Sequence, residues 1–322
     1  MTSWLITGGT GSFGQAFTRH LLAQPDTKRV VILSRDEAKQ AAMAADLKDD
    51  RLRFFIGSVT DGERMELAMR GVDHVVHAAA LKRVETCEAN PHEANTINTD
   101  GTRIVALAAL RAGVKRAVFL STDKAVMPNT LYGTTKLAAE RLWTASNVYA
   151  AGTSTRFSAT RYGNVLGSRG SVLGTWRSQY AQGVPLTVTD ERCTRFWMTM
   201  QNAVDLVALA FMEMRGGEVF IPKVGASAVL DLARAIVEVD GTYAPGHVNT
   251  GLRPGEKLHE SLVSEDESRS CYDYGTHYRI EPHRTWEDNV EHATSKVEDG
   301  WVYRSDTNPL RLTVEQLRRM VA

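Results

Sequence analysis

The sequence predicts an α/β protein built on a doubly wound parallel sheet, with a smaller domain formed mainly by its C-terminal part. Three observations support this prediction. A glycine-rich turn joins the first apolar run to a helical pattern, short apolar runs then alternate with helical segments, and this alternation becomes irregular after about residue 165. Alternating strands and helices form parallel sheets, because each helix returns the chain across one face of the sheet.

Short apolar runs bounded by turn residues predict the strands of the first half. They lie at residues 4–7, 30–33, 53–56, 72–77 and 117–120, with helical patterns between them. Such continuous apolar runs are typical of strands that are buried on both faces of a sheet. The first half therefore reads as a Rossmann-like fold.

The composition excludes several classes of function. Of the 322 residues, 43% are hydrophobic, and 38 Lys and Arg balance 38 Asp and Glu. A chain without net charge has no broad field to hold nucleic acid or an anionic membrane. The scattered cysteines Cys87, Cys193 and Cys271 form no CxxC pair, which argues against a disulfide framework or zinc site. No apolar run approaches about 18 residues and no basic leader is present, so we expect a cytoplasmic protein with no membrane partner.

The first turn has the spacing of a dinucleotide-binding loop. Gly8, Gly11 and Gly14 follow a GxxGxxG pattern between the first strand and the first helix. Glycines there allow a tight turn, a close approach of a diphosphate and close helix packing. The alternative is a tight turn without a ligand. The cofactor-binding candidates of this loop are Gly8, Thr10, Gly11, Ser12, Phe13 and Gly14.

The end of the second strand indicates which dinucleotide is bound. Ser34 stands twenty residues after Gly14 and is followed by Arg35, with Lys39 a few residues further on. An acidic residue at this place accepts from the ribose hydroxyls of NAD, whereas a guanidinium pairs with the 2′-phosphate of NADP. We predict NADP. The alternative is that Arg35 is a solvated charge and that Asp36 or Glu37 serves NAD.

Further elements define the predicted domains. Helices are expected near 171–182 and 202–214, a strand at 218–223 that rejoins the parallel sheet, and an amphipathic stretch from Leu312. We predict an NADP-binding Rossmann domain over 1–164, rejoined by about 200–224. Residues 165–199 and 225–322 are predicted to form the smaller substrate-binding domain.

The stretch from Ser121 to Lys124 carries the candidate chemistry. Asp123 is followed after nine residues by Tyr132 and after four more by Lys136. A tyrosine and a lysine four apart share one face of a helix, so the ammonium could lower the pKa of the phenol and make it a proton acceptor. Asp123 and Lys124 supply an acid and a possible base, although a solvated loop pair is the alternative.

The protonation of Lys124 is the open question of this centre. A free lysine has a pKa near 10.4 and is almost fully charged at neutral pH. Burial beside a positively charged nicotinamide would lower the pKa of Lys124, whereas an ion pair with Asp123 would raise it. Neighbours on an extended segment also point to opposite faces, which would separate the two side chains.

A resemblance to a known family is carried by motifs in order along nearly the whole chain. They are TGGTGSFG, SRDE, HAAALKRV, STDKAVMPNTLYGTTK, TRYGNVLGSRGSV, TRFWMT and GLRPGEKLHE. Together they resemble the inverting UDP-N-acetylglucosamine 4,6-dehydratases, which are extended short-chain dehydrogenase/reductases. The resemblance implies a lyase that dehydrates UDP-N-acetylglucosamine by internal hydride transfer from carbon 4 to carbon 6, in polysaccharide biosynthesis, and a homo-oligomer.

The resemblance also implies roles for the reactive residues. Tyr132, held by Lys136, takes the proton of the sugar 4-hydroxyl, and Lys136 also orients the nicotinamide ribose. Lys124 removes the carbon 5 proton and Asp123 protonates the departing 6-hydroxyl. Thr122 is expected to contact the 4-oxygen.

Residues beyond the reactive centre are expected to bind the nucleotide sugar or the cofactor. Lys82 and Ala79 follow the fourth strand, and Asn164, Arg195, Arg253 and Glu256 match family positions near the sugar, the diphosphate or the uridine ribose. Each could instead be an ordinary surface or structural residue. Glu256, His259 and Glu260 lack a second suitably spaced histidine, so we expect no metal and a segment that opens a helix.

Two departures from the family pattern concern the cofactor and sugar loops. Gly57-Ser58-Val59 has a serine where the family carries an aspartate that accepts from the adenine amino group. Ser58 can accept a hydrogen bond but carries no charge. Glu85 stands where relatives often have proline.

Two other functions remain as alternatives. A nucleotide-sugar 4-epimerase needs Tyr132 and Lys136 but has no use for an acid and a base that expel a hydroxyl, so the Asp123–Lys124 pair argues against it. A non-catalytic NADP-binding sensor shares the fold but has little reason to keep the reactive residues.

Overall fold

The structure is a computed structural model that describes residues 1–239, 242–282 and 293–321. Its strands, in chain order, are β1 (Thr2–Thr7), β2 (Thr27–Ser34), β3 (Leu52–Ile56), β4 (His74–His77), β5 (Arg116–Leu120), β6 (Arg156–Thr160), β7 (Asn164–Val165), β8 (Leu186–Val188), β9 (Thr194–Met198), β10 (Val219–Pro222), β11 (Ala226–Ala228), β12 (Glu238–Val239), β13 (Thr242–Tyr243), β14 (His247–Asn249), β15 (Ser261–Val263), β16 (Cys271–Asp273), β17 (His277–Ile280), β18 (Ser295–Lys296) and β19 (Tyr303–Arg304).

Helices flank these strands. They are α1 (Ser12–Leu22), α2 (Glu37–Leu47), α3 (Gly62–Ala68), α4 (Val84–Ala89), α5 (Pro91–Asn95), α6 (Gly101–Arg111), α7 (Leu131–Ala145), α8 (Val172–Ala181), α9 (Met200–Glu213), α10 (Val229–Val237) and α11 (Val314–Val321). A π-helical segment, Thr96–Asp100, precedes α6, and short 3-10 turns lie at Asp123–Ala125, Ser146–Val148 and Asp266–Ser270.

The main sheet has the order β18-β16-β17-β10-β6-β5-β4-β1-β2-β3. In this order, each strand from β10 to β3 pairs in parallel with its neighbour. β17 pairs antiparallel with β10 and with β16, and β16 pairs antiparallel with β18. The chain runs outward from β1 to β3 and then returns to β4 on the other side of β1. This reversal opens a crevice at the carboxyl ends of β1 and β4, where ligands of doubly wound folds bind. The predicted fold class is confirmed.

The expected strands and helices of the first half lie where the sequence predicts them, and the strand of EVFIPK is β10, which pairs in parallel with β6. One region differs. β16, β17 and β18 fall in the part predicted for the smaller domain, yet they extend the main sheet. Their pairing covers the edge of β10, which would otherwise expose unpaired backbone groups. Residues 240–241, 283–292 and 322 of that predicted domain lie outside the described residues.

Apolar side chains fill both faces of the main sheet and a third region beside it. Trp143 of α7 is fully buried on one face, and Phe17 of α1 is fully buried on the other. A separate cluster around Trp176 of α8 joins α8, α10 and α11. The carboxyl ends of the central strands are therefore held in place by well-packed helices and strands.

A buried ion triad connects α7 to the C-terminal part of the chain. The guanidinium of Arg161, just after β6, lies 2.5 Å from Glu140 of α7 and 2.8 Å from Glu267 in the 3-10 turn Asp266–Ser270. The same arginine donates to the carbonyl of Leu262 at 3.0 Å. Because Arg161 and Glu140 are only 1% exposed, each of these charges depends on its partners.

In the part of the chain that the structure describes, every helix is too short or too polar to cross a membrane.

Candidate active site

The candidate catalytic side chains lie at the carboxyl ends of the central strands. Thr122, Asp123 and Lys124 follow β5, and Asp123–Ala125 forms a 3-10 turn. The hydroxyl of Thr122 accepts from the amide of Lys124 at 3.3 Å and donates to Asp123 Oδ1 at 2.9 Å. The turn brings Lys124 Nζ to 3.1 Å from Asp123 Oδ1. The expected separation on an extended segment is therefore wrong, because the chain curls at this point.

Helix α7 brings Tyr132 and Lys136 against this turn. Thr130 caps the helix by accepting from the amide of Gly133 at 3.2 Å. A Cβ atom at Gly133 would lie 2.3 Å from the carbonyl oxygen of Lys124, so only glycine permits this approach. Tyr132 and Lys136 are both buried in the closed packing that results.

Burial controls the titration of the Tyr132–Lys136 pair. Burial raises the pKa of Tyr132 to about 12, although the charge of Lys124 and a hydrogen bond with Thr122 act to lower it. Burial lowers the pKa of Lys136 to about 7. Lys136 Nζ donates to the carbonyl of Leu120 at 2.6 Å and lies 3.8 Å above the Phe119 ring. The pKa of Tyr132 is thus raised and not lowered as its spacing from Lys136 predicts, because Lys136 donates to the carbonyl of Leu120.

A second carboxylate, Glu260, completes the group around Lys124. Its Oε1 atom lies 3.4 Å from Lys124 Nζ, and its side chain is 4% exposed. Burial raises the pKa of Asp123, and the charge of Glu260 raises it further. For Lys124, burial acts to lower the pKa, but Asp123 and Glu260 outweigh it and raise the pKa above its ordinary value. The ion pair therefore outweighs burial at Lys124, while the effect of a nicotinamide stays a prediction.

The segment that carries Glu260 differs from its prediction. Residues 251–260 form turns and a bridge between His259 and Thr194 and lead into β15, so the expected helix start is wrong. Arg195 donates to the carbonyl of Leu258 at 3.0 Å, which holds this segment in an extended path. Among the described residues, no group of His, Cys, Asp and Glu has the arrangement of a metal site.

The glycine-rich loop brings the backbone of β1 close to the end of β4. Gly8 has φ +65°, and a Cβ atom there would lie 2.9 Å from the backbone of Ala79. Gly11 at the N-cap of α1 has no side chain to accept from the first amides of this helix, which leaves them available to an anion. Thr10 and Gly14 are buried, and Phe13 stacks on Phe17 at 5.5 Å. These features fit the backbone of a dinucleotide.

The end of β2 presents Arg35 to the same crevice edge. Arg35 is exposed, while Asp36 caps α2 by accepting from the amide of Lys39 at 3.0 Å and pairs with the Lys39 ammonium. Ser34 is buried and accepts from Gln40 at 3.0 Å. Because Asp36 is engaged as a helix cap, it is poorly available to a ribose.

Lys82 and the loop after β7 border the other side of the glycine-rich loop. Lys82 Nζ donates to the carbonyl of Arg169 at 2.8 Å, and the amide of Arg169 donates to Ser12 Oγ at 3.0 Å. Burial lowers the pKa of Lys82, and the nearby Arg169 lowers it further. Lys82 and Ser12 thus lie on one connected rim of the crevice.

The serine that replaces the family aspartate is engaged in its own loop. Ser58 Oγ lies 2.7 Å from Thr60 Oγ1 and accepts from the amide of Thr60 at 3.3 Å. Val59 beside it is buried in the core. The hydroxyl of Ser58 is therefore oriented by Thr60.

The candidate sugar-binding residues form a second connected group. Glu256 accepts from Arg195 Nη2 at 2.9 Å and from Thr189 Oγ1 at 3.1 Å. Arg195 is buried and also donates to two carbonyls, so its charge is largely used within the protein. Asn164 has a buried Oδ1 without a hydrogen-bond partner among the described residues.

Arg253 and Glu85 form an exposed pair at the mouth of the crevice. The distance from Arg253 Nη1 to Glu85 Oε1 is 3.3 Å, and both side chains are more than half exposed. An exposed pair of this kind is weak. Arg253 is therefore held only loosely by Glu85.

A Rossmann-like sheet with a glycine-rich first turn and a buried tyrosine and lysine four apart on α7 defines an extended short-chain dehydrogenase/reductase. Residues 4–282 match the family model described as "Polysaccharide biosynthesis protein". The chain belongs to this family.

Named relatives agree with that assignment. The chain is 43% identical to the inverting UDP-N-acetylglucosamine 4,6-dehydratase of Campylobacter jejuni, over 98% of this chain and 96% of the relative. It is also 43% identical to the UDP-glucose 4-epimerase of Rickettsia akari, over 86% of this chain and 82% of the relative. The predicted resemblance to the inverting dehydratases is confirmed, and the hydro-lyase class expected from it is that of the Campylobacter enzyme.

Solved structures show the same fold. Pen from Bacillus thuringiensis matches with a TM-score of 0.90 at 34% identity, over 99% of this chain and 98% of its own. A double mutant of a dTDP-glucose 4,6-dehydratase from Streptomyces venezuelae, with NAD bound, matches with a TM-score of 0.69 at 25% identity, over 79% of this chain and 86% of its own.

Proposed function

We propose that the chain is a hydro-lyase that converts UDP-N-acetylglucosamine to a UDP-4-keto-6-deoxy-hexosamine, with inversion at carbon 5. The observation that carries this proposal is the Asp123–Lys124 pair, 3.1 Å apart and next to buried Tyr132. Removal of the 6-hydroxyl requires an acid and a second base besides Tyr132, whereas 4-epimerisation requires only the base that takes the 4-hydroxyl proton. The name of the Campylobacter relative supports both the substrate and the inversion.

The cofactor proposed is NADP, held by the glycine-rich loop and by Arg35. When bound, the nicotinamide accepts a hydride from sugar carbon 4 and returns it to carbon 6. Residues 1–164 and about 200–224 would bind the cofactor, and residues 165–199 and 225–322 would bind the sugar nucleotide. Lys82, Asn164, Arg195, Arg253 and Glu256 are the proposed substrate contacts.

The proton of the 4-hydroxyl passes to Tyr132. Its phenolate form is required for this step, and burial opposes that form. A positive charge brought beside the ring on binding favours the phenolate, and the pKa of Lys136, about 7, allows this lysine to exchange a proton near neutral pH. Thr122 is proposed to hydrogen-bond the 4-oxygen.

A single proton transfer converts the Asp123–Lys124 ion pair into the acid and the base of the elimination. A proton that crosses from Lys124 Nζ to Asp123 Oδ1 leaves a neutral amine and a carboxylic acid. The amine then takes the carbon 5 proton, and the acid gives its proton to the 6-hydroxyl, which leaves as water. Both groups thereby return to the ion pair. Tyr132 releases the proton of the 4-hydroxyl to solvent, and carbon 5 takes one proton from solvent, so the protons balance.

Proton NMR of the purified protein with UDP-N-acetylglucosamine and catalytic NADP⁺ in heavy water tests this proposal. We expect a new carbon 6 methyl signal with deuterium at carbon 5, and the couplings of carbon 5 report inversion. A new 4-epimer without a methyl signal would support the epimerase instead. An unchanged spectrum with cofactor bound would contradict both.

Arg35→Ala should weaken NADP⁺ binding much more than NAD⁺ binding. The lost guanidinium–phosphate contact is worth about 1.5–3 kcal/mol, so we expect roughly a tenfold to hundredfold rise in Kd for NADP⁺. Titration calorimetry with both cofactors measures this. Arg53→Ala is the matched control, because Arg53 lies at the start of β3, at the end of the sheet away from the crevice. An unchanged Kd for NADP⁺ in Arg35→Ala would contradict the choice of NADP.

A further inference from the structure

Glu260 lies behind Lys124 as seen from the open crevice. The Lys124 side chain is 31% exposed, whereas Glu260 is 4% exposed, and the two approach to 3.4 Å. The backbone of Glu260 is fixed, because its amide donates to Ser305 Oγ at 3.0 Å and its carbonyl accepts from the amide of Ser305 at 2.8 Å. Glu260 therefore contacts the lysine from the protein side and not from the substrate side.

Two buried carboxylates share the ammonium of Lys124. Each also has a buried oxygen, Oδ2 of Asp123 and Oε2 of Glu260, that lacks a hydrogen-bond partner among the described residues. Buried polar atoms normally have partners, because an unpartnered one costs free energy. Such an arrangement is retained more readily for chemistry than for stability.

We infer that Glu260 is a positioning residue of the elimination step, which holds the Lys124 ammonium beside Asp123 and keeps protons on that pair. This inference rests on the proposed function, because only an elimination uses the pair as acid and base. With two anchors, Lys124 Nζ stays near Asp123 Oδ1, the atom with which it must exchange a proton. With Asp123 as its only anchor, the flexible lysine side chain would leave this geometry more often.

The charged groups that face Glu260 come from three elements. The 3-10 turn contributes Asp123 and Lys124, its own segment contributes Lys257 with Nζ at 4.0 Å from Oε2, and β9 contributes Arg195. Burial acts to raise the pKa of Glu260, but Lys124, Arg195 and Lys257 outweigh it and lower the pKa. These cations therefore favour the ionised form of Glu260 beside the Asp123–Lys124 ion pair.

Glu260→Gln removes one negative charge and keeps the shape. A nearby negative charge favours the protonated form of any group, so its removal lowers the pKa of both Lys124 and Asp123. Competitive labelling of amino groups, quantified by peptide mass spectrometry, measures the titration of Lys124 in the ligand-free protein. We expect the Lys124 midpoint to fall by about one pH unit or more. An unmoved midpoint would overturn the inference.

Matched variants separate this effect from general damage. Glu265→Gln changes an exposed glutamate of the same region and should leave the midpoint in place. Lys257→Met removes the cation on the other side of Glu260 and should move the midpoint upward, which keeps the test decisive where Glu260→Gln does not fold. An unmoved midpoint in Lys257→Met would then overturn the inference.

Kinetics complete the test. Glu260→Gln should lower kcat about tenfold with KM changed less than about twofold, since the loss concerns position and not substrate binding. Both limbs of the pH profile of kcat should move toward lower pH, and Glu260→Asp should restore part of kcat. Equal kcat values and pH limbs in wild type and Glu260→Gln would contradict the role. A wild type without dehydratase activity would refute the proposed function, while the labelling result still reports on Glu260.

Discussion

Asp123→Asn should lower kcat for dehydration by about a hundredfold to ten-thousandfold, the usual contribution of a general acid. The amide has the same shape but cannot give a proton to the departing 6-hydroxyl. Oxidation at carbon 4 uses Tyr132 and Lys136 and should persist. We therefore expect the reduced cofactor to accumulate, which its near-ultraviolet absorbance measures during a single turnover.

Two comparisons make this result specific to elimination. Asp46→Asn alters an exposed aspartate of α2, 58% exposed, and should leave both kcat and cofactor reduction unchanged. A 4-epimerase would keep most of its turnover in Asp123→Asn, because its chemistry stops at carbon 4. Loss of cofactor reduction together with kcat would show that Asp123 acts before elimination and is not only the acid.

The central fold was predictable because burial on both faces leaves a clear pattern. β1, β2 and β5 read as short apolar runs between turn residues, and the glycine-rich turn fixed where the first helix begins. The placement of Tyr132 and Lys136 on one face of a helix was equally predictable, because it depends only on their spacing in the sequence. Contacts between residues within one or two helical turns of each other can be predicted from the sequence.

The edge of the sheet and one active-site residue were not predictable for the same physical reason. β16 and β17 are short and carry charged residues such as Asp273 and Arg279, so they lack the apolar signal of a buried strand. Glu260 lies near Lys124 in a segment that Arg195 and Thr194 hold at the carbonyl of Leu258, far along the chain from the 3-10 turn. Contacts between distant segments depend on tertiary packing, which overrides local preference.

The pKa shifts of the active-site residues could not be predicted without the fold. The sequence places Lys136 one helical turn from Tyr132, which suggested a lowered phenol pKa. In the structure the Lys136 ammonium instead donates to the carbonyl of Leu120, and burial raises the pKa of Tyr132. Which partner a charged group selects depends on three-dimensional packing that spacing alone does not encode.

Arg161→Met should destabilise the protein by about 3–5 kcal/mol, the usual cost of breaking a buried ion pair. The substitution leaves Glu140 buried without its cation and leaves Glu267 with only the exposed Arg141. Urea unfolding measures the loss. Arg141→Met is a matched control, because Arg141 pairs with the same Glu267 at 3.2 Å but is 56% exposed. An exposed pair is worth less than about 1 kcal/mol, so the control should lose little.

The pH dependence of this difference follows from Glu267. Burial acts to raise its pKa, but Arg161 outweighs burial and lowers it to about 2. The stabilisation is present above the ordinary pKa of 4.5 and is lost as the pH falls toward about 2. Below about pH 5 the orphaned carboxylates of Arg161→Met take up protons, so the gap between wild type and variant should narrow. A gap that stays constant from pH 7 to pH 4 would mean that packing of the arginine stem, and not its charge, joins α7 to the 3-10 turn Asp266–Ser270.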